Sequence, residues 1–64
     1  MIPITLNRHT VKLSQNEARD AQALYSAKQR GEAIAHIVLN WLENSPNESC
    51  RERRKDAIQK FNLI

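Results

Sequence analysis

Arg51, Arg53, Arg54 and Lys55 crowd one short stretch of the chain, with Lys60 just beyond. On a helix, Arg51, Arg54 and Lys55 share a face, because side chains three and four apart are neighbours. Such a face suits a macromolecular partner: an acidic protein surface, or the phosphates along one groove edge of a nucleic acid. The competing reading is a solvated, salt-bridged surface. Glu48, Glu52 and Asp56 interrupt the run, and Glu48–Arg51, Glu52–Lys55 and Asp56–Lys60 are spaced for local ion pairs. Tyr25, Trp41 and Phe61 are the only aromatic residues, so stacking on single-stranded bases is not suggested.

Other reactive residue types are sparse. The sequence has no nucleophile–base–orienter set, no paired carboxylates in an apolar setting and no glycine-rich phosphate loop, with one glycine in all. His36, on a crowded helix, reads as a packed or rim histidine, and His9 as a solvated turn residue. Cys50 reads as a small buried apolar group. His9, His36 and Cys50 are too scattered to resemble a zinc spacing. The expectation is a non-enzyme with no cofactor, no metal and no small-molecule substrate.

Sixty-four residues make one domain, 1–64. A chain this short buries only about 60% of the surface its unfolded form exposes, so its stability alone is marginal. One cysteine cannot form an internal disulfide, which leaves self-association as the remedy. The net charge of +3 and pI of about 9.5 are compatible with nucleic acid without being diagnostic of it. No apolar run reaches the roughly 18 residues of a membrane span. Met1-Ile2-Pro3-Ile4-Thr5 has no basic leader region. With a free thiol, these features point to a cytoplasm.

The elements that position these residues are mostly helical. Residues 1–13 alternate, with Ile2, Ile4 and Leu6, then Val11 and Leu13, on one side. That reads as an extended arm or a short strand, which Pro3 confines to an edge. Ser14-Gln15-Asn16-Glu17 and Ser45-Pro46-Asn47-Glu48 both read as capping boxes, in which the serine and glutamate satisfy each other's backbone donors. Nothing after Gly31 offers a capping side chain. The pattern therefore predicts one long helix over 15–43, kinked at Gly31, and a second helix over 46–62. Ala23, Ala27, Gly31 and Ala35 recur every four residues, a stripe that could admit a close neighbour.

Eight of the ten residues from Ala33 to Leu42 are apolar, more than one stripe can account for. Ile34, Ile37, Val38 and Trp41 cover one side, and Ala35, Leu39 and Leu42 another. The last helix, with Cys50, Ala57, Ile58 and Phe61, cannot cover both. Burying each large aliphatic side chain is worth roughly 1.5–3 kcal/mol, so a helical homodimer is expected. Its predicted interface is Ile34, Ile37, Val38, Trp41 and Leu42, leaving Arg51, Arg54 and Lys55 for a partner.

Thr10-Val11-Lys12-Leu13-Ser14, Glu17-Ala18-Arg19, Gly31-Glu32-Ala33-Ile34 and Leu39-Asn40-Trp41-Leu42 together resemble the ribbon–helix–helix repressors over about half the chain. The resemblance implies an N-terminal strand that pairs with its two-fold mate and enters the DNA major groove. Thr10 and Lys12 would point outward, with Arg8 nearby. In size and texture the chain also resembles the small accessory proteins of lambda-like phage early regions, which implies a role in host cytoplasm exerted by binding. Three functions are therefore expected in order: a small dimeric regulatory or adaptor protein with a protein partner, a DNA-binding regulator using residues 8–12, and a subunit of a larger assembly.

Overall fold

In a computed structural model, which describes residues 1–64, two strands precede three helices. These are β1 (Ile2–Leu6), β2 (His9–Leu13), α1 (Gln15–Gln29), α2 (Ala35–Glu43) and α3 (Glu48–Lys60). The alternating segment is a true antiparallel hairpin, pairing Ile4 with Val11 and Thr5 with Thr10. Ile4, Val11 and Leu13 turn inward and are buried, while Pro3, Thr5, Thr10 and Lys12 face out. Asn7 and Arg8 form the turn, with φ of 52° and 63°. Two left-handed residues give the loop whose twist matches the flanking strands. Asparagine tolerates that region. Arginine there costs about 1 kcal/mol relative to glycine, the usual occupant.

Helix α1 begins as its sequence demands. Ser14 Oγ accepts from the Glu17 N–H at 3.2 Å, and Glu17 Oε1 accepts from the Ser14 N–H at 3.0 Å. The single helix over 15–43 is not formed. Arg30 ends α1, and Gly31 follows with φ +87°. The Gly31 N–H donates to the Lys28 carbonyl at 2.9 Å and the Glu32 N–H to the Ala27 carbonyl at 3.1 Å. This left-handed termination satisfies the last carbonyls and turns the chain. A kinked helix would have left Gly31 right-handed. The stripe of small residues is broken at the same place. The new helix starts without any capping side chain, at Ile34. Its neighbours Ala33, Ala35, His36 and Ile37 are exposed, so water reaches this uncapped start.

Helix α3 starts later and ends sooner than 46–62. Its cap is Asn47, whose Oδ1 accepts from the Cys50 N–H at 2.9 Å. Ser45 instead donates its hydroxyl to the Leu42 carbonyl at 2.6 Å, closing α2. Pro46 lies before the cap and Glu48 is the first helical residue, so the second capping box does not form. At the far end Asn62 (φ 56°) repeats the left-handed stop, with Leu63 N–H donating to the Ile58 carbonyl. That turn drives Phe61 and Leu63 fully into the core, beside Leu13 and Val38.

The hairpin lies across α1 and α3, and α2 packs on α3. No helix is long and apolar enough to cross a membrane.

Candidate binding groove

Glu17 is the centre of the polar architecture. Only 1% of it is exposed, and its capping role accounts for one of its contacts. Arg53 Nε donates to Oε1 at 3.1 Å, Arg54 Nε to Oε2 at 3.4 Å, and the Cys50 thiol to Oε2 at 2.6 Å. Burial alone would raise the carboxyl's pKa. The hydrogen bonds from Cys50, the Ser14 backbone and Arg53 outweigh it and hold the value at about 2. The same burial, and then the adjoining carboxylate, push the Cys50 thiol up, against the opposing pull of Arg54 and Arg53.

Arg54 ties three helices together. Besides Glu17 of α1, its Nη1 donates to the Trp41 carbonyl of α2 at 2.6 Å, and its guanidinium lies 5.2 Å from the Trp41 ring centroid. Its side chain is only 13% exposed. The cation run of α3 therefore splits. Arg53 and Arg54 turn inward to Glu17, Arg51 reaches Glu43 at 3.9 Å, and Lys55 is exposed with no ion pair. Of the three local pairs expected from spacing, only Asp56–Lys60 forms, at 3.4 Å. The buried carboxylate outcompetes surface acids because it offers the two arginines a site from which water is excluded.

Helix α2 shows three sides, set by its turn of 3.6 residues. Ile34, Val38 and Trp41 point into the chain's own core. Ala35, Leu39 and Leu42 form a second stripe, with Leu39 51% exposed. Ile37, Asn40 and Asn44 line the third side, where Ile37 is 46% exposed. Of the five residues expected at a dimer interface, three are thus covered from within one copy. Ile37 and Leu42 sit on opposite flanks.

The third side faces α1 across an open groove of about 520 Å³. Asp20 and Leu24 form its α1 wall, Ile37 and Asn40 its α2 wall, and Trp41 and Arg54 also line it. The indole Nε1–H of Trp41 is buried and has no hydrogen-bond partner. A donor left in that state costs about 1–3 kcal/mol. The groove joins Ile37, Trp41 and Arg54, which the sequence pattern had assigned to two different surfaces. It also adds Asp20 and Asn40, which carry no local signal; only the separation of α1 from α2 gives them a role. Arg8 and Lys12 lie away from it, on the exposed hairpin, and make no ion pair. His9, His36 and Cys50 sit on three separate elements. Comparison with protein-family models, with characterised proteins and with solved structures gives no match to this chain.

Proposed function

We propose that this chain is a small non-enzymatic binding protein that pairs with a second copy of itself through the Ala35–Leu39–Leu42 stripe and engages a protein partner in the α1–α2 groove. The observation that carries the reading is the state of α2. The most apolar helix of the molecule buries one stripe and leaves two sides uncovered, with Ile37 and Leu39 about half exposed. The stripe carries no charge, so two copies meet there without repulsion. The groove combines an aliphatic wall with the polar side chains of Asp20, Asn40 and Asn44. A polypeptide offers both complements, an apolar side chain for Leu24 and Ile37 and backbone amide groups for Asp20, Asn40 and Asn44.

Sedimentation equilibrium at micromolar concentration tests the pairing. The native chain is expected as a dimer, and Leu39→Asp as a folded monomer, since Leu39 is about half exposed and lies outside the buried core. A native chain that stays monomeric when concentrated removes the two-fold reading. Open-ended aggregation instead of a closed dimer marks a subunit of a larger assembly. A photocrosslinking residue at position 37 tests the groove. It should capture a polypeptide from nuclease-treated lysate, and Asn44→Trp, which fills the groove, should abolish the capture.

A further inference from the structure

A second cleft opens at the start of α2. Ala33, Ala35, Leu63 and Ile64 line about 230 Å³ of mostly apolar space there, with Lys28 and Glu32 also in its wall. An apolar cavity of about 150 Å³ holds a group the size of benzene, so the cleft has room for one large aliphatic side chain. Ala35 belongs both to this cleft and to the stripe that carries Leu39 and Leu42. Around Leu39 the surface of α2 is ordered by size on one flank and by charge on the other. Ala35, four residues back, and Leu42, three on, share the first flank; His36, three back, and Glu43, four on, share the second. Two such helices laid side by side in the same direction set Ala35 on Ala35, Leu42 on Leu42 and Glu43 beside Glu43. A gap, a crowded contact and a repulsion then coincide. Reversing one helix about a two-fold axis at Leu39 corrects all three.

Resting on the pairing proposed above, we infer that two copies join with their α2 helices antiparallel about Leu39, and that Leu42 of each copy fills the cleft beside Ala35 of the other. The interface is isologous, so every contact is made twice. Glu43 of each copy then stands by His36 of the other and by the uncapped start of the other's α2, where free backbone N–H groups favour an anion. Glu43 is able to turn there: its side chain is 70% exposed, and its contact with Arg51 of its own copy is long, at 3.9 Å. Ile37 and Asn40 lie on a different side of α2, so the α1–α2 groove stays open in the pair.

Disulfide trapping in a glutathione redox buffer tests the orientation. The native chain is the blank, because its one thiol is buried. Ala35→Cys and Leu42→Cys chains, each alone, should stay uncrosslinked. Mixed, they should give a disulfide-linked pair, since only opposed positions come within the roughly 4.4–6.8 Å between Cα atoms that a disulfide spans. Sedimentation equilibrium tests the cleft. Ala35→Leu, at an exposed position, should weaken the dimer about tenfold or more by crowding the incoming Leu42. Ala35→Leu with Leu42→Ala restores the match of large to small and should recover the native affinity to within about threefold. Self-linked Ala35→Cys or Leu42→Cys dimers without the mixed product overturn the inference and leave the pairing standing. So does an Ala35→Leu chain that dimerises as tightly as the native one, or a folded double variant that fails to recover. A native chain that is monomeric at every concentration removes the pairing, and the inference with it.

Discussion

Glu17 shows how one side chain can serve two levels of structure at once. As the third residue of α1 it closes a capping box, and as a buried anion it receives Arg53, Arg54 and the Cys50 thiol from α3. Its pKa of about 2 lies below the ordinary 4.5. The stabilisation is therefore complete above pH 4.5 and drains away as the pH falls toward 2; it is worth about 3 kcal/mol at neutral pH. Chemical denaturation across pH 6 to 2 should show that loss. Glu17→Gln should flatten the dependence and lower stability at neutral pH by about 3 kcal/mol, because two partly buried guanidinium groups lose their counter-charge. The capping role was legible from Ser14 and Glu17 three residues apart. The ion pairs were not, since Arg53 and Arg54 lie far along the chain and have nearer acids to choose from.

At the scale of elements, stop signals proved stronger than start signals. Gly31 ends α1 with a left-handed residue and two backbone hydrogen bonds, and that suffices to reverse the chain. The absence of a capping residue after it argued for a continuous helix, yet α2 begins in solvent where water serves the free donors. The Ser45 phrase misled for a related reason. Serine and asparagine both cap, and Asn47 sits where the helix that buries Cys50 and Ala57 must begin. Asn47→Ala should therefore cost about 1 kcal/mol in thermal or urea melts. Ser45→Ala, which loses one hydrogen bond to the Leu42 carbonyl, should cost less than half of that. The hairpin was half visible. Alternation marked residues 1–13 as an extended arm or a short strand, but an Asn-Arg turn lacks the glycine that would have announced the reversal into two paired strands.

For the whole molecule, the arithmetic of burial remains the deciding matter. A core of twelve residues drawn from every element encloses Phe61, Leu13 and Val38. It includes three small alanines, so its apolar volume is modest for a chain of this length. If pairing through Leu39 supplies the remainder, folding and association are linked, and the melting temperature should climb as protein concentration rises. Leu39→Asp should melt at one temperature whatever the concentration. The surplus of apolar residues on α2 was readable from Ala33 to Leu42. Which of them the chain keeps for itself was not, because that depends on where the reversal at Gly31 lays the helix.

Cys50 gives this architecture its own stopwatch. The thiol is sealed beneath the first turn of α3 and donates its proton to a carboxylate, so an alkylating reagent finds neither access nor thiolate while the three helices stay joined. Every labelling event then records a moment when α3 has lifted from α1, and the rate of labelling measures how often the molecule breathes at that seam.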